Sequence, residues 1–205
     1  MSGRPKARPL HYGLAVLLVL AAAAAALALF ARETAAPQAG MRAGAFDPPH
    51  AAPAFALRGS DGSEVTLARY RGKVVLLTFG FTHCAAVCPT TLATLAQARN
   101  GLGTAADGVQ VVFVTVDPER DSAAHMQRYL AAFDRSFIGA TGAPEELAAV
   151  REAYGVTAEK QGSGPDYAMA HTSSIFLIDP AGRLRGVMPF GRDADDFVHD
   201  VGLLL

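Results

Sequence analysis

The longest run of apolar residues in the chain occupies positions 13–31 and follows a short basic segment, residues 1–12. As a helix rising about 1.5 Å per residue, this run reaches about 28 Å, close to the thickness of the hydrocarbon core of a bilayer. Its length favours a transmembrane anchor over a cleaved export signal, whose apolar core is usually shorter. Because basic residues precede the run, we expect the rest of the chain to lie outside the cytoplasm.

The pattern changes twice after the apolar run. Residues 32–53 are rich in Ala, Pro and Gly and show no sustained apolar period, which predicts a flexible linker. Residues 54–205 have the pattern of a folded domain and open with a short predicted hairpin. The run Val74–Gly80 then follows, and it is apolar on both faces, as expected of a central parallel strand.

The remainder of the domain alternates between helical and strand patterns. We predict a helix over about residues 89–100, a strand over 109–116, a helix capped by Asp121, a helix opened by Pro144, a hairpin over 173–188 and a closing helix from Asp193. The order of these elements predicts an α/β fold with a central mixed sheet flanked by helices and an N-terminal β-hairpin extension.

The charge of the domain narrows the class of its partners. The chain has 205 residues and a formal net charge of −1, and residues 32–205 carry 15 basic against 19 acidic side chains. Such a weakly acidic surface gives no reason to expect a nucleic-acid partner.

Cys84 and Cys88 are the two cysteines of the chain, and they precede Pro89 at a predicted strand-to-helix turn. Because a residue before proline avoids the helical region, we expect Cys88 to be extended at the helix entrance. The helix dipole should favour the thiolate form of both sulfurs. The pair can form a disulfide, hold a soft metal or exchange between these states. A purely structural disulfide is disfavoured, since so short a loop yields only about 2 kcal/mol.

Three histidines could complete a site with the two thiols. His83 neighbours Cys84 along an extended segment, where adjacent side chains point apart. His125 lies beside the apolar stripe of a predicted helix. His171 directly precedes a strand, and there it can face a helix N-terminus across the end of the sheet. Two thiolates and one imidazole suit Cu(I), yet a histidine at a strand end is also common as a surface or capping residue.

Asp117, Arg120 and Asp121 follow the second buried strand, at the sheet edge where α/β sites gather. We interpret them as turn and helix-capping residues. Met169, two residues before His171, is expected to pack in the core rather than bind a metal.

Three separated motifs occur in an order that resembles the Sco/SenC family of copper-binding, thioredoxin-like proteins. The likeness covers residues 53–205 and extends to the N-terminal anchor. The motifs are Phe79-Gly80-Phe81-Thr82-His83-Cys84-x-x-Val87-Cys88-Pro89, Val116-Asp117-Pro118-Glu119-Arg120-Asp121, and His171-Thr172-Ser173 leading to Asp179-Pro180-x-Gly182-Arg183-Leu184.

The resemblance implies a thioredoxin fold with copper held by Cys84, Cys88 and His171. It also implies a membrane-tethered chaperone that serves assembly of the dinuclear copper centre of cytochrome c oxidase. Its partners would be the copper-receiving oxidase subunit and a copper donor or thiol reductant. The domain would face the periplasm from the inner membrane. When oxidised, Cys84 and Cys88 would form a disulfide.

The chain departs from the family at three positions. The family commonly has Pro-Asp where this chain has Ala85 and Ala86, and Asp where it has Ala170. Since both acidic groups are lost near the cation, metal affinity, histidine orientation or partner choice should differ from the family norm.

Other functions of the same turn stay open. The main alternative is a thiol–disulfide oxidoreductase, in which Cys84 and Cys88 are the catalytic redox pair and no copper is transferred. A redox sensor is a further alternative. A peroxidase is less favoured, because the alanines beside Cys84 offer no polar pocket for peroxide.

Overall fold

The computed structural model describes Leu20 and residues 40–205. The predicted basic segment, the rest of the predicted anchor and the first part of the predicted linker lie outside the described residues. Within the part of the chain that is described, no helix combines the length and the apolar character needed to span a bilayer.

Ten strands and four α-helices make up the described domain. The strands are β1 Gly44–Ala51, β2 Ala56–Gly59, β3 Glu64–Thr66, β4 Val74–Gly80, β5 Val109–Thr115, β6 Ile138–Thr141, β7 Ala158–Gln161, β8 Ala168–His171, β9 Ile175–Ile178 and β10 Arg183–Met188. The helices are α1 Val87–Leu102, α2 Ala123–Ala131, α3 Pro144–Ala153 and α4 Ala194–Leu204.

Eight strands form one mixed sheet in the order β1-β10-β9-β4-β5-β6-β2-β3. Strands β4 and β5 are parallel, and every one of their residues is buried, as their continuous apolar sequences predict. Strand β9 pairs antiparallel with β4 on its other side. The carboxyl ends of β4 and β5 therefore open onto the same edge of the sheet, where both the cysteine loop and the Asp117 loop begin.

The second half of the predicted linker is a strand. Gly44–Ala51 forms β1, which pairs with β10 and has a register shift between Ala45 and His50. This strand was not predicted because it contains two consecutive prolines. They are tolerated because an edge strand needs backbone partners on one side only.

Further contacts fix the chain just before β1. The backbone N–H groups of Arg42 and Ala43 each donate to the fully buried carboxylate of Asp200 on α4, at 2.8 Å. Met41 also packs against the core, so the fold includes residues well before the predicted boundary at residue 54.

Three further strands escaped the sequence analysis. Strand β6 contains Gly139 and Ala140, so it lacks a run of large apolar residues. Strands β7 and β8 pair only with each other, and each of their residues is exposed or partly exposed. Burial therefore imposed no apolar pattern on them.

The helices follow the predicted pattern, with two corrections at their N-termini. Helix α1 begins at Val87, which puts Cys88 in its first turn rather than in an extended conformation. Pro89 is then the third helical residue, whose N–H has no intrahelical partner in any helix, so proline is tolerated there. Ser122, not Asp121, caps α2, since its hydroxyl accepts from the His125 N–H at 3.2 Å.

Candidate metal centre

The loop and first helical turn over residues 81–88, here called the cysteine turn, place both sulfurs at the N-terminus of α1. The sulfur of Cys84 accepts a hydrogen bond from the backbone N–H of Cys88 at 3.4 Å. This N–H is one of those that a helix leaves unpaired at its N-terminus. The Cys84 sulfur therefore acts as a cap, since Ala86 at the N-cap position has no side chain able to do so.

Cys84 lies in an environment that favours its thiolate. Partial burial opposes ionisation, but the backbone N–H groups of Cys88, Ala86 and Val87 all point to its sulfur and hold its pKa below the usual range. Cys84 is also partly exposed. It is therefore the reactive thiol of the pair in the metal-free protein.

Cys88 behaves differently, although it lies in the same helical turn. Its side chain is 4% exposed. Burial raises its pKa to about 12, and the neighbouring Cys84 and Asp121 act in the same direction. The prediction that the helix dipole favours the thiolate of both cysteines is wrong for Cys88, because desolvation outweighs the dipole at a buried sulfur.

Gly80 makes room for the buried sulfur. It ends β4, and a Cβ atom at this position would lie 3.0 Å from the Cys88 sulfur and 2.6 Å from the Phe113 ring. Any larger residue would therefore displace one of these groups. A glycine at the end of a buried strand, directly before a cysteine loop, was the available signal for this packing role.

His171 brings its imidazole to Cys88 from a distant part of the chain. Its Nε2 lies 3.7 Å from the Cys88 sulfur. Its Nδ1 lies 2.9 Å from the Thr172 carbonyl oxygen, which can only accept, so Nδ1 carries the proton. In the neutral form of the ring, the lone pair is then on Nε2, the nitrogen that faces the sulfur. The Phe81 ring packs edge-on against it, with centroids 5.8 Å apart.

His171 is the last residue of the β7–β8 hairpin, residues 158–171, here called the histidine arm. A two-stranded hairpin alone is marginally stable, so contacts to the main domain must fix its position. The Tyr167 hydroxyl donates to Asp117 at 2.5 Å. The Arg120 guanidinium donates to the Tyr167 carbonyl at 3.0 Å and lies 3.6 Å from the centre of its ring.

We call Asp117, Arg120 and Tyr167 the clasp. Asp117 and Arg120 also pair with each other at 2.5 Å. Within the arm itself, Lys160 lies 3.8 Å from the centre of the Tyr167 ring and pairs with Glu119. The prediction of a turn is confirmed, because the Asp117 carbonyl accepts from the N–H groups of Arg120 and Asp121. The side chains of Asp117 and Arg120 have a further role, since they hold the arm that carries His171. Tyr167 was missed because it lies in a loop without apolar periodicity.

Asp121 also has a role other than the predicted cap. It is fully buried and accepts hydrogen bonds from the Thr82 hydroxyl at 2.5 Å and from the Thr115 hydroxyl at 2.7 Å. It therefore ties the cysteine turn to the end of β5. Met169 packs against the hydrophobic core, as predicted.

The three departures from the Sco/SenC pattern surround the site. Ala85 and Ala86 are exposed at the cysteine turn, and Ala170 is partly buried beside His171. None of these positions supplies a charge or a hydrogen-bonding side chain to the ligand candidates.

Comparisons with known proteins agree with this architecture. The SCO1/SenC family model matches residues 44–205. The mitochondrial SCO2 homolog of Mus musculus is 36% identical over 151 residues, which cover 72% of this chain and 59% of the mouse protein. Separate matches cover 57% of the Bos taurus SCO2 homolog and 42% of the Arabidopsis thaliana SCO1 homolog 1. The chain therefore aligns with about half of the length of these relatives.

Solved structures give the same result. Copper-bound ScoI of Bradyrhizobium japonicum has a TM-score of 0.70 and 37% identity, over 76% of this chain and 99% of that structure. Apo Sco1 of Thermus thermophilus has a TM-score of 0.73 and 39% identity, over 80% and 97%. The predicted mixed α/β sheet flanked by helices is confirmed. This chain belongs to the SCO1/SenC family and has its thioredoxin-like fold.

Proposed function

We propose that this protein is a membrane-tethered copper chaperone that binds copper through Cys84, Cys88 and His171 and serves assembly of the dinuclear copper centre of cytochrome c oxidase. The observation that carries the proposal is the 3.7 Å approach of His171 Nε2 to the Cys88 sulfur, across 83 positions of sequence. Sulfur and imidazole donors at one point suit copper, above all Cu(I). The copper-bound relative from Bradyrhizobium japonicum supports the choice of metal.

Copper is the cargo of the proposed chaperone, and the two sulfurs differ in how they bind it. Cys84 offers a thiolate that is partly exposed and can contact an incoming complex first. Cys88, whose pKa burial raises to about 12, must release its proton as it binds. His171 binds through Nε2, because its Nδ1–H donates to the Thr172 carbonyl. Release to a recipient then proceeds by stepwise exchange of thiolate ligands between the two proteins.

The copper-receiving subunit of cytochrome c oxidase is the proposed recipient, and a copper donor or thiol reductant is the proposed source of the loaded, reduced state. Mammalian and plant relatives are named mitochondrial. For this chain we propose anchoring by residues 13–31 in the inner membrane, with the domain in the periplasm, because the basic residues precede the apolar run.

A thiol–disulfide oxidoreductase is the second candidate, and the contrast between the two thiols favours it. An exposed thiolate at Cys84 can attack a partner disulfide and release one partner thiolate. Cys88 then attacks the mixed disulfide, which releases the second partner thiol and leaves the Cys84–Cys88 disulfide. Two electrons pass to the partner, and the copper ligands are lost. The same reaction would therefore also empty a chaperone.

Anaerobic titration of the reduced full-length chain with Cu(I) against a chromophoric chelator tests the chaperone. We expect one tightly held equivalent, which the Cys84→Ser/Cys88→Ser variant loses. His50→Ala is a control that should keep the bound equivalent, because His50 is an exposed histidine on β1. Unchanged affinity in the double serine variant would rule the proposal out. Catalytic reduction of a recipient disulfide combined with negligible Cu(I) affinity would instead support the oxidoreductase.

A further inference from the structure

A second group of metal-ligating side chains lies on the other side of the cysteine turn. His83, Asp121 and His125 each offer one ligand atom, and these three atoms lie within 4.8 Å of one another. The two imidazole rings are stacked, with centroids 5.7 Å apart and planes inclined by 25°. None of the three belongs to the set Cys84, Cys88 and His171.

The carboxylate in this group is buried and lacks a cationic side chain close to it. Asp121 is 0% exposed. Among the described residues, the one ion-pair partner within 4.0 Å of it is His83, whose Nδ1 lies 3.9 Å from Oδ1. Its hydrogen bonds come from the Thr82 N–H and from the Thr82 and Thr115 hydroxyls, which are neutral donors, so a cation would supply the opposite charge that a buried carboxylate favours.

The hydroxyl of Thr82 lies among the three groups. It donates to Asp121, and it lies 3.1 Å from His83 Nδ1 and 3.0 Å from His125 Nε2. The three groups are thus already directed to a single point. A cation takes the place of the hydroxyl after rotation about the Thr82 Cα–Cβ bond.

The three ligand atoms lie within 4.8 Å of one another, so modest side-chain movements would bring them to the separations found around a bound metal. Two ligand atoms on a tetrahedral zinc ion are about 3.4 Å apart, so His83 Nδ1 needs to approach Asp121 by only about 0.5 Å. The His83 side chain is 46% exposed and is free to make this movement. His125 lies in the first turn of α2, and its Nε2 is directed to the Thr82 hydroxyl.

We propose that His83, Asp121 and His125 form a second metal site for a divalent cation of intermediate softness, such as Zn²⁺ or Cu²⁺. Two imidazoles and one carboxylate favour these ions and leave a fourth position for water. The thiol site has two sulfur donors and favours Cu(I) instead. The cysteine turn thus separates a soft site from a harder one, and His83 and Cys84 are consecutive residues on opposite sides of it.

The test uses the full-length Cys84→Ser/Cys88→Ser/His171→Ala variant, in which the thiol site is absent. Calorimetric titration with Zn²⁺ alone, and then with Cu²⁺ alone, should show one bound equivalent. Electron paramagnetic resonance of the Cu²⁺ form should show coupling to two imidazole nitrogens. His83→Gln and His125→Gln, added to this variant, should each weaken binding by at least about 10-fold while keeping an amide that can donate to Thr82.

His199→Gln is the matched control, because His199 Nδ1 lies 3.0 Å from another fully buried carboxylate, Asp200, but without a second histidine. It should leave the affinity unchanged. Absence of a bound equivalent overturns the proposal, and so does equal weakening by all three glutamine variants. Because His83 is about half exposed, His83→Gln keeps the fold, which circular dichroism verifies. The result is independent of Cu(I) binding at the thiol site.

Discussion

The cysteine turn and the histidine arm meet at one point but are held there in different ways. The turn grows out of β4, whose residues are all buried, and it is tied to β5 through Asp121. The arm pairs only with itself and is held by side-chain contacts of the clasp. Two ligand candidates are thus fixed by the central sheet, whereas the third depends on the clasp and on the packing of Met169 against the core. We expect the turn to set chemical reactivity and the arm to set how well the site closes.

Within the turn itself, the two thiols should differ most. We expect iodoacetamide at pH 8 to modify Cys84 at least about 100-fold faster than Cys88 in the reduced, metal-free chain, because the thiolate reacts. The pKa of Cys84 lies below the ordinary range, so its thiolate forms at lower pH than that of a free thiol. The pKa of Cys88 is about 12, so it stays protonated. Peptide mass spectrometry measures both rates.

The denatured chain is the control for this comparison, since both thiols should then react at similar rates. Equal rates in the folded chain would contradict the assigned difference in burial.

Removal of the ligand at the end of the arm should have the next largest effect. Structural zinc sites with four ligands bind their ion with about 10–16 kcal/mol, so each ligand contributes about 3 kcal/mol, or about 100-fold in affinity. We therefore expect His171→Ala to weaken Cu(I) binding by about 100-fold, measured by chelator competition. Stability of the metal-free fold should change little, because His171 is only partly buried. A full loss of folding would contradict the view of the arm as an appendage.

Packing within the turn is tested by Gly80→Ala. The new methyl group would meet Phe113 and the Cys88 sulfur, so we expect a loss of about 1–3 kcal/mol in the free energy of unfolding. Urea denaturation measures it. Gly202→Ala is the matched control, because a Cβ atom there meets nothing within 4 Å and alanine favours the helix. Equal effects of the two variants would mean that the turn is not tightly packed.

The clasp should have the smallest effect of the four. Tyr167→Phe removes the hydroxyl that donates to Asp117 but keeps the ring under Arg120. We expect about 10-fold weaker copper binding and a changed thiolate-to-Cu(II) charge-transfer spectrum, because His171 is less well oriented. Tyr70→Phe is the control, since the buried Tyr70 hydroxyl has no hydrogen-bond partner among the described residues. An unchanged spectrum in Tyr167→Phe would exclude a positioning role.

The sequence predicted the elements that are buried and periodic, and it missed those that depend on tertiary contacts. The run Val74–Gly80 and the stripe of α4 have patterns that burial imposes, and both were located correctly. The proximity of His171 to Cys88 was predicted from the position of His171 at the start of a strand and from the family resemblance. By contrast, Tyr167 and Asp121 act through partners 50 and 39 positions away, which no local pattern reveals. The raised pKa of Cys88 depends on burial depth, which the helix-dipole argument omits.

The attachment of Arg42 and Ala43 to Asp200 fixes the chain well before residue 53, the predicted end of the linker. If residues 13–31 form the proposed anchor, the tether comprises residues 32–41 rather than the whole stretch to residue 53. Ten residues span at most about 35 Å when fully extended, which is less than half the reach of the longer linker. Under the proposed function, a copper recipient would then have to present its acceptor thiols close to the membrane surface.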